Sequence, residues 1–121
     1  MLLHISNIIY QYNNKNLLDL KINGMMSIYI SGAMANRPHE YKKAFAEVEN
    51  ELTEKGYTVV NPAWLPKGLN ITRYMPICFS MIDSCDAIYM MNGWEESKGA
   101  CLEKAYAEYQ DKLVIYEPQN L

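Results

Sequence analysis

The chain has 121 residues, half of them apolar and 21% charged, the composition of one globular domain and not of a disordered or fibrous protein. Its formal net charge is −3, and its only arginines, Arg37 and Arg73, lie outside any basic run, which argues against a nucleic-acid partner held by clustered cations. Cys78, Cys85 and Cys101 form no C-x-x-C pair, so neither a disulfide framework nor a zinc site is expected and a reducing cytoplasm fits; no apolar run approaches the ~20 residues of a membrane span.

Residues 1–24 differ in texture from the rest, being rich in Asn, Leu and Ile with a polar insert at 11–15. They read as an N-terminal extension, 1–24, ahead of a domain over 25–121. The start lacks a basic leader, and His4, Ser6 and Asn7 break its apolar stretch, so it does not read as a signal peptide. Either it packs on the domain edge as an added strand or short helix, or Met25 or Met26 is the natural start and the leader is poorly ordered.

From Ser27 a regular rhythm sets in. Ser27–Ser31, S-I-Y-I-S, is short, β-branched and aromatic and ends at Gly32, the pattern of a buried strand. Pro38 suits the first turn of a helix, where its missing N–H costs nothing. Tyr41, Ala44, Phe45, Val48 and Leu52 then recur at helical spacing until Gly56, able to take positive φ, stops the helix. A second strand is predicted over 57–61, closed by Pro62. A helix follows over roughly 73–84, with Thr72 as its cap, Pro76 in its first turn, and Met75, Cys78, Phe79 and Ile82 on one face. The remaining elements are a strand over 87–91, a helix over 97–110 and a strand at Leu113–Tyr116. This alternation predicts an α/β domain, a parallel sheet with right-handed crossovers and helices on both faces. Ligands in such sheets bind beyond the carboxyl ends of the strands, which directs attention to 32–37, 61–64 and 92–97.

The segment over 92–103, N-G-W-E-E-S-K-G-A-C-L-E, is the richest in chemistry. A helical wheel puts Lys104, Glu108, Asp111 and Lys112 toward solvent, Gly99, Leu102, Tyr106 and Tyr109 toward the sheet, and Glu103 on the flank between. Helical side chains lean toward the helix N-terminus, so the Glu103 carboxylate is expected to point back at the strand-end crevice, with Gly99 and Ala100 leaving space before it. The other reading is a border glutamate in an ion pair with Lys98 or Lys104. Ser97, at the helix start, either holds an anion together with the free backbone N–H groups or simply caps the helix. Gly32 lets backbone approach a ligand or only turns the chain. Tyr29 reads as a core ring whose hydroxyl needs a partner, and Trp94 either stacks on a flat ligand or covers its loop. Asp86 and Asn92 shape the strand ends, Asn92 being counted also among the ligand contacts. G-A-M-A-N after the first strand is neither a P-loop nor a dinucleotide fingerprint, and His4 and His39 share no ligand or triad spacing.

Three blocks, Y-I-S-G-A-M at 29–34, V-V-N-P-A at 59–63 and C-D-A-I-Y-M-M-N-G-W-E-E-S-K-G-A-C-L-E at 85–103, resemble in order and spacing the nucleoside 2-deoxyribosyltransferase superfamily, in particular its small bacterial and phage branch. The resemblance spans about 27–117. It implies a flavodoxin- or Rossmann-like parallel sheet of four to five strands with helices on both faces, and cleavage of the N-glycosidic bond between a base and a (deoxy)ribose. In that scheme a glutamate attacks the anomeric carbon and water or a second base then releases the sugar, one hard substitution split into two easier ones. Glu103 matches the nucleophile and Tyr29 the tyrosine beside it, which makes these the expected catalytic residues. Gly32, Ser97, Gly99, Asn92, Trp94 and Cys78 are the expected substrate contacts. Branches acting on free nucleosides have an aspartate at the place of Ser97 and the nucleotide-hydrolysing branch has a serine, so the resemblance implies a 5′-phosphorylated ligand.

Two positions depart from the family pattern. Cys78 stands where an aspartate usually acts near the leaving base, and a thiol with an ordinary pKa of about 8.5 is a poor substitute for a positioned carboxylic acid. The first loop reads G-A-M-A-N where G-P-M-T-G is usual, leaving Arg37 or Arg73 as other charges for a phosphate. The expected function is cleavage or transfer at a nucleoside or nucleoside 5′-monophosphate. The alternative is a catalytically impaired nucleotide-binding module, sequestering or regulatory, that keeps the pocket. The expected partner is a small-molecule nucleoside or nucleotide, with no metal or organic cofactor, no nucleic acid and no membrane, in a cytoplasmic homo-oligomer.

Overall fold

The computed structural model describes residues 26–34 and 40–119. The extension over 1–24 with its His4, and Ala35, Asn36, Arg37, Pro38 and His39 of the first loop, lie outside the described residues. Within them the order is β1 (Ser27–Ser31), α1 (Tyr41–Glu54), β2 (Thr58–Val60), a 3-10 turn (Pro62–Trp64), α2 (Ile71–Asp83), β3 (Ala87–Met90), a second 3-10 turn (Trp94–Glu96), α3 (Lys98–Tyr109) and β4 (Leu113–Tyr116). The four strands form one parallel sheet in the order β2-β1-β3-β4. This is the α/β, Rossmann- or flavodoxin-like sheet that the alternation and the resemblance predict.

β1 lies inside the sheet, with Tyr29 in register with Val60 of β2 and with Ile88 of β3. Its side chains alternate between two cores. Ile28 and Ile30 meet Phe45, Val48 and Leu52 of α1 on one face. Tyr29 meets Cys78 and Ile82 of α2 and Ala100 and Ala107 of α3 on the other. Covering both faces explains why the strands read as nearly unbroken apolar runs, and each fully buried Ile or Phe contributes roughly 1.5–3 kcal/mol. The amino end of the sheet is pinned by Asp86, whose Oδ2 accepts from the Ser27 backbone N–H at 2.9 Å and the Ser27 hydroxyl at 3.1 Å.

Several boundaries differ from the prediction for local reasons. α1 opens at Tyr41 with Glu40 as its N-cap, three residues beyond Pro38, and ends as expected before Gly56 at φ 94°. α2 starts at Ile71, and its cap is Asn70, not Thr72: the Asn70 Oδ1 accepts from the N–H and the hydroxyl of Thr72, both at 2.9 Å. Asparagine in extended backbone reaches the free N–H groups of the first turn, and Thr72 is already helical. Pro76 consequently falls in the second turn, where α2 runs through it at the loss of one backbone bond, the one to the Thr72 carbonyl. Among the described residues no helix is long and apolar enough to cross a membrane.

Candidate active site

The chain places β2 on one side of β1 and then crosses over to place β3 on the other. Strand order thus reverses at β1, and the loops leaving β1 and β3 part there to leave a crevice. A cavity of about 520 Å³ opens at this point, lined by Gly32 and Met34 after β1, Pro62 after β2, Ile71, Tyr74 and Met75 of α2, and Glu96, Ser97, Lys98, Gly99, Ala100 and Glu103 around the start of α3.

α3 turns Ala100, Glu103 and Ala107 toward the sheet, a spacing of three and four that defines one helix face. This corrects the helical wheel. Leu102 is 54% and Tyr109 83% exposed, while Tyr106 is half-buried, stacked on Phe79 at 4.3 Å between centroids with its hydroxyl donating to Asp83. The sheet-facing side is set by size and not by hydrophobicity: alanines bring the helix close to the sheet, and β1 offers hydroxyl groups beneath it. Glu103 sits in the middle of that face, 6% exposed. The Tyr29 hydroxyl donates to its Oε2 at 2.8 Å and the Ser31 hydroxyl to its Oε1 at 2.7 Å. Both donors are fully buried and, being two residues apart on β1, share a face. Burial raises the Glu103 carboxyl above its ordinary value, while donation from Ser31, Tyr29 and Cys78 works the other way. No ion pair with Lys104 forms, since that ammonium meets Glu108 at 3.1 Å.

The neighbouring groups stay neutral. Burial and then the Glu103 charge raise the Tyr29 phenol well above its ordinary value, so it remains a donor. Burial pushes the Cys78 thiol, which lies against Tyr29, Glu103 and Tyr74, up to about 12. Tyr74, also raised by burial, donates to the Pro62 carbonyl at 3.2 Å and touches the Met34 sulfur at 3.2 Å, which ties the wall of the cavity together. Ser97 caps α3, its Oγ accepting from the Ala100 N–H at 3.1 Å, and lines the cavity as well. A side chain at Gly99 would meet only the Met75 sulfur and the Ser97 Oγ, both at 3.9 Å, so the space before Glu103 is open. At Gly32 a Cβ would lie 3.0 Å from the Met91 sulfur and 3.1 Å from its Cβ, so a side chain there requires Met91 to shift.

Of the expected site residues, Gly32, Ser97, Gly99 and Glu103 line this cavity, and Tyr29 and Cys78 lie buried against Glu103. Trp94 and Asn92 do not. The Trp94 ring lies against Tyr116 at 6.2 Å and under the Lys104 ammonium at 5.3 Å, covering its loop. The Asn92 backbone N–H donates to Glu117 at 2.7 Å and its side chain to the Pro118 carbonyl at 3.3 Å. Ser31 and Tyr74 were not singled out by the sequence, and Met34, Met75, Glu96 and Lys98 were not among the expected site residues. Ser31 carried a signal, since it shares Tyr29's side of the strand. Tyr74 carried a weaker one, four residues before Cys78 on the same helix face.

Residues 26–116 match the family described as domain of unknown function (DUF4406). No curated relative matches the chain. Among solved structures, the 2-desoxiribosyltransferase from Leishmania mexicana is similar, with a TM-score of 0.62 and 21% identity over 75% of this chain and 63% of that one. The chain therefore spans less than two thirds of that protein's length, and at this identity the likeness is one of fold. The chain belongs to the DUF4406 family and has a nucleoside 2-deoxyribosyltransferase-like fold.

Proposed function

We propose that the chain cleaves or transfers the N-glycosidic bond of a nucleoside or nucleoside 5′-monophosphate, with Glu103 as the nucleophile. The observation that carries this reading is a buried carboxylate, held at both oxygens by hydroxyls of β1, at a cavity of the size that takes a small ligand. A carboxylate with no cation against it among the described residues and little water around it keeps its electron pair available for attack. The fold shared with the Leishmania mexicana 2-desoxiribosyltransferase supports the reaction class. In the first step a Glu103 oxygen bonds to the anomeric carbon while the C–N electron pair leaves with the base, which takes a proton from water. In the second, water attacks the same carbon, its proton neutralises the hydroxide left behind, and Glu103 departs as carboxylate. A second base in place of water makes the reaction a transfer.

Tyr29, a phenol throughout, orients Glu103. Ser97 gives its lone pair to the Ala100 N–H, so its proton is free for a ligand. Together with Lys98 and the first N–H groups of α3 it would receive a 5′-phosphate. Incubation with a panel of nucleosides and deoxynucleoside monophosphates, followed by chromatography of free base, tests the proposal. Base release is expected from the wild type and, in Glu103→Gln, a loss of about 10³-fold or more. Release unchanged by Glu103→Gln would overturn the role of Glu103. One observation favours a second reading, a nucleotide-binding module without turnover: Cys78 is a buried thiol and no carboxylic acid. Stoichiometric binding with no base released by the wild type would select that reading.

A further inference from the structure

We propose that Ser31 is a positioning residue for Glu103: its hydroxyl fixes Oε1, the oxygen nearer the cavity, while Tyr29 fixes Oε2 beneath it. The inference rests on the reading of Glu103 as nucleophile. β1 runs toward the cavity, and Ser31 is its last residue, roughly 6.6 Å beyond Tyr29 along the strand. The next residue, Gly32, already lines the cavity. The two hydroxyls lie 2.7 Å from Oε1 and 2.8 Å from Oε2, so the plane of the carboxylate is set by two points on one rigid strand. Without Ser31, β1 would hold Glu103 only at Oε2, through Tyr29. Ser31 is fully buried, so its bond to Oε1 is made inside the protein and not at the surface. Oε1 is thereby the oxygen presented to an anomeric carbon, and it supplies the electron pair of the new C–O bond as the C–N pair leaves with the base.

Among the described residues, the titratable groups that face Glu103 are Tyr29 on β1 and Cys78 and Tyr74 on α2, all neutral near pH 7, with Glu96 and Lys98 at the cavity wall. Tyr29 meets Oε2 and Ser31 meets Oε1, so the two hydroxyl bonds from β1 fall on different oxygens. Ser31 heads the influences that hold the Glu103 carboxyl down against its burial. Its loss therefore raises the pH at which Glu103 gives up its proton.

The test is a ¹³C titration of the glutamate side-chain carboxyls in the wild type, Ser31→Ala and Ser31→Thr, with Glu103 assigned by its disappearance in Glu103→Gln. Base release is measured alongside. Ser31→Ala is expected to raise the Glu103 midpoint and the acid limb of the rate profile, and to lower kcat by about 10- to 100-fold, the loss of one hydrogen bond to a charged group. KM should move by less than about threefold. Ser31→Thr, which keeps the hydroxyl on a strand that suits threonine, restores both midpoint and kcat. A folded Ser31→Ala protein with the wild-type midpoint and kcat overturns the proposal. If the wild type releases no base from any compound, the proposed function fails, and the carboxyl titration alone then decides whether Ser31 holds Glu103.

Discussion

A carboxylate as buried as Glu103 is held at a cost, because two hydroxyl groups replace only part of the water that an exposed carboxylate binds. The folded chain therefore keeps a proton on Glu103 at pH values where the unfolded chain has already released it, so the carboxyl is raised above the ordinary 4.5. Linkage fixes the sign: where the folded state binds more protons, stability falls as pH rises, through the window from 4.5 up to the raised value, and the loss is complete above it. Below that window Glu103 is neutral in both states and the penalty is absent. Glutamine keeps the shape and an acceptor oxygen, and a hydroxyl can turn to accept from its amide. Glu103→Gln is accordingly expected to melt above the wild type at pH 7, with the gap closing toward roughly pH 4. Thermal melts followed by circular dichroism across that range check it. A variant that melts below the wild type at neutral pH would mean that the bonds from Tyr29 and Ser31 outweigh the burial.

At the scale of the element, α3 has two jobs on one face: Ala100 and Ala107 let it lie close to the sheet, and Gly99 keeps the approach to Glu103 open. Gly99→Leu separates these jobs. A side chain there leaves the sheet contact alone and fills the cavity, and replacing a helical glycine removes a penalty of about 0.5–1 kcal/mol. The variant should melt no lower than the wild type and bind a nucleotide ligand at least about tenfold more weakly, a loss of ~1.4 kcal/mol by calorimetry. Unchanged affinity would place the ligand elsewhere. The same helix shows where sequence reading stops. β1 and β4 were legible to the residue, because short β-branched and aromatic runs bounded by turn residues have one reading. The face of α3 was not, because Leu102 and Tyr109 look like core residues until the alanine face is seen against the sheet. The lean of helical side chains brought Glu103 toward the crevice correctly. Its partner Ser31 was implicit in the alternation of S-I-Y-I-S, two residues from Tyr29. The contact of the Tyr74 hydroxyl with the Met34 sulfur and the Pro62 carbonyl comes from the packing of α2 over the loops after β1 and β2, a non-local fact that the spacing of Tyr74 and Cys78 does not encode.

For the molecule as a whole, the sheet is a partition one backbone thick, and β1 serves both sides of it. Ile28 and Ile30 hold α1, and Tyr29 and Ser31 hold Glu103 of α3. Stability and chemistry should therefore be separable one residue apart. Ile30, fully buried against the α1 side, can lose one methylene as Ile30→Val and still suit a strand. That truncation is expected to cost about 0.5–1.5 kcal/mol in chemical denaturation. A cost of 1 kcal/mol lowers the melting temperature of a domain this size by roughly 4–8 °C. The Glu103 carboxyl midpoint and the rate of base release, measured well below the melting temperature, should stay at wild-type values, because the altered side chain points away from α3. The neighbouring Ser31→Ala is expected to do the reverse, moving the midpoint and kcat. An Ile30→Val protein that shifts the Glu103 midpoint as far as Ser31→Ala would show that the α1 core sets the position of β1 to within the tolerance of the two hydroxyl bonds. The cavity would then be tuned from both faces of the sheet and not from one.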